Sequence, residues 1–279
     1  MSKELKIDEV GYWTEIKLSI LDKYAKPYNQ ILHANHLKTI YIDAFAGAGH
    51  HRAKGSDRIV QGSPLRALNV QPPFNFFHFI DVDNARVQEL KRLATGRSNV
   101  KVHHGDCNEI LLDNVFPTIS YANYQRALCI LDPYGLHLDW RVTKAAGASR
   151  VIEIFLNFPV MDMNMNVFWA NPDRVTEDSQ KRMTRFWGDE SWRQAAYEKV
   201  PGLFEEMQEK SSIERVVKAF QERLKQVAGF EHVPTPMPMR NSKGAIVYFL
   251  FFAARDPTAG KIVKEIFESH KSKGEVPNG

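Results

Sequence analysis

The stretch of residues 38–49 constrains the fold of this chain more than any other part of the sequence. Residues 39–42 are β-branched or apolar, as in a buried parallel strand, and Asp43 ends that strand. Gly47 and Gly49 then remove side chains where a ligand could approach the backbone. A lone Gly-x-Gly pair is more often an ordinary turn. Followed by further strands that end in acids, it indicates an α/β fold with a ligand-binding crevice at the carboxyl edge of its sheet.

Three later acids stand at the ends of predicted strands. Asp81 ends the second strand, where α/β domains hold the ribose of an adenosine-containing cofactor, and Asp83 either competes for that role or caps the next helix. Asp106 follows the third strand and either accepts from an adenine amino group or caps a helix over 109–114. The predicted strands after the first cover residues 75–80, 99–103, 127–131 and 151–155.

The fourth predicted strand ends in Asp132-Pro133-Tyr134-Gly135. A carboxylate held before a proline can accept the hydrogens of an exocyclic amine, which leaves the nitrogen lone pair free to attack a methyl group. The aromatic ring that follows can stack on a nucleobase, an interaction worth about 1–3 kcal/mol per base. An ordinary Asp-Pro turn is the alternative. Because the fourth strand lies beside the first in a doubly wound sheet, Asp132 and Gly47 would face one crevice.

Two segments flank the first strand. Residues 14–36 predict a helix that packs on the sheet, kinked or split by Pro27, with a polar side that carries Lys17, Asp22, Lys23 and Lys26. Residues 50–58 predict a polar, basic loop that either grips phosphate or is simply solvated. A short helix follows, with Ser63 as its N-cap and Pro64 at its first position.

The pattern changes after the fifth strand, which is followed by Asn-Phe-Pro at 157–159. Residues 161–229 predict a helical insertion, with helices over 176–186, 191–199 and 212–229. Its methionines and tryptophans fit the core of the insertion better than a substrate platform. Three of its arginines either contact phosphate or form a solvated face: Arg182, Arg185 and Arg193.

The last fifty residues predict an antiparallel hairpin, a final helix and a frayed tail. Alternating prolines at 234, 236 and 238 allow only an edge or extended strand, and residues 245–253 form a strongly apolar strand after a turn. Residues 230–279 would thus complete the Rossmann-like, cofactor-binding core that residues 1–160 begin.

Composition narrows the class of protein. The 279 residues are 43% hydrophobic and 25% charged, as in globular proteins, and the formal net charge of +4 permits a nucleic-acid partner without requiring one. Two cysteines, Cys107 and Cys129, lie in apolar contexts without CxxC or Cys/His clusters, which argues against zinc and disulfides. Without an apolar signal segment or a membrane-spanning run, we expect a cytoplasmic protein.

Residues 38–158 resemble the class I S-adenosylmethionine-dependent methyltransferases. The loop at 43–49 and the later strand-end acids carry the resemblance. It implies an α/β fold with a mostly parallel, Rossmann-like sheet and a C-terminal antiparallel hairpin, here with a helical insertion, and S-adenosylmethionine as cofactor. The cofactor-binding residues that it implies are Asp43, Phe45, Gly47, Gly49, Asp81, Asp83, Asp106 and Cys107, and the catalytic residues are Asp132, Pro133 and Tyr134.

The whole chain also resembles the three-Cys-motif partner protein family, on the runs at 41–49, 62–64, 131–136 and 157–159. This resemblance implies a separate partner protein that carries a three-cysteine motif and is similar to radical S-adenosylmethionine enzymes. It also implies a mobile or phage-associated genetic neighbourhood. The family name does not define an activity for this chain.

The amine-holding element departs from one common pattern. N6-adenine and N4-cytosine methyltransferases usually carry Asp/Asn-Pro-Pro-aromatic, whereas here Tyr134 directly follows Pro133. The element is closer to the Asp-Pro-Phe-Gly of tRNA guanine-N2 dimethyltransferases, so the target base stays open.

Three hypotheses follow. The first is a methyltransferase that acts on an amino group, in a base of RNA or DNA. The second is a methyltransferase-like subunit that binds its three-cysteine partner or nucleic acid and performs no chemistry. The third, which the residues favour least, is a nuclease or other hydrolase in which Asp43, Asp81 and Asp132 gather a metal ion.

Overall fold

A computed structural model of the chain describes residues 9–10, 12–55, 58–201, 206–241 and 243–271. The strands are β1 (Glu9–Val10), β2 (Lys38–Asp43), β3 (His50–Ala53), β4 (Ile59–Gln61), β5 (Phe76–Asp81), β6 (Val100–His104), β7 (Gln125–Leu131), β8 (Ile152–Phe158), β9 (Tyr197–Pro201), β10 (Glu206–Lys210), β11 (Met237–Arg240) and β12 (Ile246–Ala253).

The helices lie between these strands and at the two ends of the sheet. They are α1 (Tyr12–Ala34), α2 (Ser63–Leu68), α3 (Asn84–Leu93), α4 (Cys107–Glu109), α5 (Trp140–Ser149), α6 (Val160–Asn166), α7 (Glu177–Trp187), α8 (Trp192–Ala196), α9 (Ile213–Gln226) and α10 (Pro257–Lys271). A π-helical turn over Ile110–Val115 continues α4.

A seven-stranded sheet in the order β11-β12-β8-β7-β2-β5-β6 forms the centre of the molecule. The five strands from β8 to β6 in this order are parallel, and β12 runs antiparallel to both β8 and β11. Ile40 of β2 pairs with Phe76 on one side and with Ala127 on the other, so β2 is the middle of the parallel part. The predicted mostly parallel, Rossmann-like sheet with its C-terminal antiparallel hairpin is confirmed.

Helices cover both faces of the sheet, because its central strands are apolar on both sides. On one face Tyr24 of α1 packs against Phe155 and Phe252, with ring centroids 5.4 and 5.0 Å away. On the other face Phe158 and Phe251 meet helices of the insertion. Burial of one such side chain contributes about 1.5–3 kcal/mol. The sheet therefore lies between two apolar clusters, one on each of its faces.

The predicted helical insertion packs onto that core through Phe220 of α9. Its ring centroid lies 4.6 Å from that of Phe158 and 5.7 Å from that of Phe186 of α7. The prediction that tryptophans and methionines fill this core is confirmed for the buried Trp187, Trp192, Met163 and Met183. It is wrong for three residues on or just after α6 that are exposed: Met161, Met165 and Trp169.

Three local predictions are wrong. Residues 50–58 do not form a simple loop, because β3 and β4 pair in an antiparallel hairpin and β1 adds to it in parallel; residues 56–57 lie outside the described part. Gly62 rather than Ser63 is the N-cap of α2. The predicted helix over 191–199 ends at Ala196, where β9 begins and pairs with β10.

Other predicted bounds are close to those observed. α1 retains Pro27 inside one helix, and β11, which contains Pro238, is an edge strand of the sheet. β8 continues through Asn157 and Phe158, whereas the sequence predicts that the strand ends at residue 155. Most of the predicted tail, residues 272–279, lies outside the described residues. Among the described residues, no helix has the length and apolar character needed to cross a membrane.

Candidate active site

Four acids follow the ends of neighbouring parallel strands. In sheet order, Asp106 follows β6, Asp81 ends β5, Asp43 ends β2 and Asp132 follows β7. Because carboxyl ends of parallel strands meet at one edge, these acids form a row along that edge. The structure therefore brings the predicted elements to one side of the sheet.

The glycine loop after β2 is tied to the end of β5. Gly47 and Gly49 have φ angles of +62° and +82°, which favour glycine. The N–H of Gly47 donates to Asp81 Oδ2 at 2.9 Å, and the N–H of Ala46 donates to the carbonyl of Ile80 at 2.9 Å. A Cβ on Gly49 would lie 2.5 Å from a methyl carbon of Leu93. The loop conformation therefore requires both glycines.

Asp81 is a buried acceptor for the backbone around it. Besides Gly47 N, the N–H of Asp83 donates to Asp81 Oδ1 at 2.8 Å, and Arg86 lies 3.8 Å from Oδ2. Asp83 accepts from Arg86 N at 3.0 Å and is the N-cap of α3, which confirms its capping alternative. Between the two acids, Val82 is 73% exposed. Sequence reasoning missed Val82, although an apolar residue between two acids at a strand end is an available signal.

Asp106 and Cys107 begin the next helix along the edge. Asp106 Oδ1 accepts from the N–H of Asn108 at 2.7 Å, so its capping alternative is confirmed. Burial raises the pKa of the Cys107 thiol to about 12, and the charge of Asp106 adds to this effect. Cys107 is therefore a neutral thiol. It can contribute a packing contact but not a thiolate nucleophile.

Asp43 is fully buried beneath the glycine loop. Its Oδ1 accepts from the N–H of Phe45 at 3.3 Å. Burial raises the pKa of Asp43 to about 6, and the nearby charge of Asp132 adds to the rise, while Ser63, the Phe45 N–H and Lys17 act in the opposite direction. Asp43 therefore stabilises the start of the glycine loop through its hydrogen bond from the Phe45 N–H.

A cavity of about 550 Å³ opens between the loops after β2 and β7, the amino end of α1, α6 and the start of β12. Predicted site residues that line it are Phe45, Asp132, Pro133 and Tyr134. The other predicted residues lie along the sheet edge outside this lining: Asp43, Gly47, Gly49, Asp81, Asp83, Asp106 and Cys107. The structure thus joins the predicted catalytic element to one side of the glycine loop.

Lys17 is the main functional candidate that sequence reasoning missed. It was assigned to the polar side of α1, but it is only 9% exposed. Its ammonium group donates to Asp132 Oδ2 and lies 5.9 Å from the ring centroid of Tyr248. The cavity therefore contains a cation beside its central carboxylate. Its position next to the apolar Ile16 and Ile20 was the only available signal.

Asp162 of α6 holds the loop that contains Tyr134. Its Oδ2 accepts from the N–H of Leu136 at 3.1 Å, and its Oδ1 accepts from Asn166 at 2.7 Å. A Cβ on Gly135 would lie 2.9 Å from Asp162 Oδ2, so the close contact needs glycine. The Tyr134 side chain is 76% exposed at the cavity mouth. A flat, accessible ring at a fixed loop can receive a planar ligand.

Metal chemistry has little support from the side chains. Within the described ranges there is no group of three or more His, Cys, Asp and Glu residues that could hold a metal ion. Asp43, Asp81 and Asp132 do not form such a group: Asp43 and Asp81 accept hydrogen bonds from backbone N–H groups, and Asp132 accepts one from Lys17.

Comparison with known proteins supports the fold and leaves the family open. No protein-family model matches the sequence, and no curated protein matches it. Protein LPL1258 from Legionella pneumophila is similar in structure, with a TM-score of 0.52, 12% identity, and coverage of 94% of this chain and 92% of that one.

Two further solved structures match more loosely. The N-terminal domain of EvdMO1 with SAH bound has a TM-score of 0.39 and 16% identity, over 84% of this chain and 80% of that one. Trm5b from Pyrococcus abyssi has a TM-score of 0.34 and 13% identity, over 83% of this chain and 48% of that one.

Proposed function

We propose that this protein is an S-adenosylmethionine-dependent methyltransferase that acts on an amino group of a nucleic-acid base. One observation carries the proposal: the cavity places Asp132, Pro133 and Tyr134 beside Phe45 and Ala46 of the glycine loop. A target amine at Asp132 and a cofactor at the loop would therefore meet in one crevice.

The chain offers a fitting cradle for the cofactor. At Gly47 the nearest atom to an added Cβ is 3.9 Å away, so this side of the loop would admit the methionine moiety, while Gly49 lets the loop pack closely against Leu93. Asp81 would accept from the ribose, with the exposed Val82 against the adenine ring, and Asp106 would accept from the adenine amine. Bound there, the cofactor supplies an electrophilic methyl group.

The residues of the cavity would orient the target nitrogen. Lys17 holds Asp132 Oδ2, which leaves Oδ1 and the carbonyl of Pro133 as acceptors for the amine hydrogens. Tyr134 would stack on the base. A base must leave its helical stack to reach such a site. Positioning supplies most of the acceleration, since the amine can lose its proton after attack and needs no general base.

Calorimetric titration with S-adenosylmethionine and its demethylated product tests the cofactor site. We expect micromolar binding, about −8 kcal/mol, that Gly47→Arg removes. Gly55→Arg is the matched control, since Gly55 also has a positive φ but stands in open space. Loss of binding in both variants, or no binding of either ligand by the wild type, would contradict the proposal.

We propose RNA and DNA as alternative substrates. The net charge of +4 is compatible with either. A screen of methyl transfer to tRNA, rRNA and DNA separates them. Asp132→Ala should abolish transfer and leave cofactor binding intact, because Asp132 is proposed to touch only the target.

A three-cysteine-motif partner is the second proposal, with this chain as a non-catalytic subunit. The exposed Met161, Met165 and Trp169 beside the cavity mouth favour a contact with another macromolecule. Under this alternative, Asp132→Ala would leave partner binding intact and no methyl transfer would be found. A cytoplasmic location and a phage-associated neighbourhood stay predictions.

A further inference from the structure

Among the described residues that line the cavity, Asn157 and Tyr248 each bury a polar atom for which the structure shows no hydrogen-bond partner. These atoms are Oδ1 of Asn157 and the hydroxyl oxygen of Tyr248. The two residues are 8% and 5% exposed, and both line the cavity beside Asp132. Buried polar groups in folded proteins are nearly always paired, and leaving one unpaired costs stability. Two such atoms on one cavity wall are candidate partners for a ligand that fills the cavity.

The neighbours of Asn157 fix which kind of group it offers. Its Nδ2 donates to the carbonyl of Pro133 at 3.5 Å. The opposite amide orientation would set two carbonyl oxygens against each other, so the free atom is an acceptor. Asn157 thus presents an acceptor next to the loop that carries Asp132.

Tyr248 offers the complementary group. Burial raises the pKa of its hydroxyl well above 10, and the charge of Asp132 adds to the rise. The phenol therefore keeps its proton at neutral pH and can donate it in a hydrogen bond. The wall around Asp132 presents one further acceptor and one further donor.

Among the bases with an exocyclic amine, this pattern favours one. In guanine the 2-amino group is adjacent to a ring N1–H, and N3 and O6 are acceptors. In adenine and cytosine the ring nitrogen beside the amine is itself an acceptor. An acceptor such as Asn157 Oδ1, beside the Asp132 that would hold the amine, would accept a hydrogen bond from the N1–H of guanine. It would repel the acceptor ring nitrogen of adenine or cytosine.

We propose that Asn157 and Tyr248 select guanine as the target base, and this rests on the proposed methyltransferase function. Asn157 Oδ1 accepts from N1–H beside the 2-amino group held by Asp132, and the Tyr248 hydroxyl donates to a guanine acceptor. The lone pair of the 2-amino nitrogen forms the new N–CH₃ bond. The S–CH₃ bond breaks with its electron pair left on sulfur, and the amine loses one proton to solvent.

Methyl transfer to single-stranded oligonucleotides tests this proposal. Each oligonucleotide, made as RNA and as DNA, carries one guanine, adenine, cytosine or 2-aminopurine in a uridine or thymidine background. 2-Aminopurine keeps the amine but has an acceptor at N1 and no O6. We expect kcat/KM for guanine to exceed that for each other base by at least about 10-fold.

Variants assign the preference to the two residues. Asn157→Leu should lower kcat/KM for guanine by about 10-fold or more and narrow the gap to 2-aminopurine. Tyr248→Phe should lower kcat/KM for guanine by a similar factor. Thermal melting of each variant separates these effects from a loss of folding.

The outcomes separate this proposal from the function on which it rests. Cofactor binding with preferred transfer to adenine or cytosine, or with transfer to none of the four bases, overturns the guanine assignment. An Asn157→Leu loss that is equal for guanine and 2-aminopurine also overturns it. Absence of cofactor binding in calorimetry overturns both proposals.

Discussion

The ammonium group of Lys17 donates to Asp132 Oδ2 inside the cavity, so the first helix of the chain is bonded to the loop after β7. Their side chains are 11% and 29% exposed, which limits the access of water to the pair. Removing one partner would leave the other charge in a poorly solvated site.

We expect substitutions of Lys17 and Asp132 to have coupled effects on the free energy of unfolding. Lys17→Met and Asp132→Asn should each lower the free energy of unfolding by about 1–3 kcal/mol, and the double variant should lose less than the sum. Urea unfolding measures all three, with Lys26→Met on the exposed side of α1 as a control that changes stability by at most about 0.5 kcal/mol. Strict additivity of the two substitutions would show that the charges do not interact.

Substitutions of Asp81 and Asp83 should differ in their effect on S-adenosylmethionine affinity. Asp81→Asn removes an acceptor from the Gly47 and Asp83 N–H groups, so we expect S-adenosylmethionine affinity to fall by at least about 10-fold. Asp83→Ala removes a helix cap, which costs about 1 kcal/mol of stability and should leave the affinity within a few fold. Calorimetry and thermal melting check both. The reverse pattern would assign the ribose to Asp83.

Glu153 predicts a pH dependence of stability. Burial raises its pKa to about 7, while the hydrogen bond from Tyr24 acts in the opposite direction. Between pH 4.5 and 7 the folded state therefore holds a proton that the unfolded state has released, so the free energy of unfolding falls as pH rises. The full effect is about 3 kcal/mol, at about 1.4 kcal/mol per pKa unit.

Urea unfolding at a series of pH values measures this effect as a difference between variants. Glu153→Gln should lack this part of the decline, whereas the exposed Glu214→Gln should follow the wild type. The difference is needed because Asp43, with a pKa of about 6, contributes in the same direction and His78, with a pKa of about 4, in the opposite one. Parallel curves for the wild type and Glu153→Gln would refute the assignment.

The close contact at Gly147 predicts a stability cost for any side chain between α5 and the end of α9. A Cβ at this position of α5 would lie 2.0 Å from the carbonyl oxygen of Ala228, just after α9. Gly147→Ala should therefore cost about 1–3 kcal/mol, because backbone must move, despite the better helix propensity of alanine. Thermal melting checks it against Ala148→Ser on the exposed side of the same turn. An unchanged or raised melting temperature would mean that the two helices can separate without cost.

Much of the fold could be predicted because its parallel strands are short apolar runs that end in acids. β2, β5 and β7 are recognisable without their neighbours, and the order of strand-end acids along the edge follows from the topology. Capping by Asp83 and Asp106 is equally local, since each contacts a backbone N–H two or three residues ahead.

The remaining features depend on contacts between distant parts of the chain. Lys17 has the same local pattern as a solvated lysine, and only Asp132, 115 residues away, explains its burial. β9 begins in a segment where the sequence predicts a helix, but the Tyr197 hydroxyl lies 3.2 and 3.1 Å from the carbonyl oxygens of Val167 and Trp169, and β10 pairs alongside. Local propensity is a weak guide where tertiary contacts compete with it.

The hydrogen bond from Leu136 N to Asp162 connects the insertion to the loop that carries Tyr134. A chimera that carried another protein's insertion would keep its sheet, yet it would lose the only side chain described here that fixes the backbone directly after Tyr134 and Gly135. Exchange of this segment during evolution would thus alter the geometry of the proposed target site and the surface around it in a single event. Recombination within this segment would change the proposed target specificity before it changed the fold of the sheet.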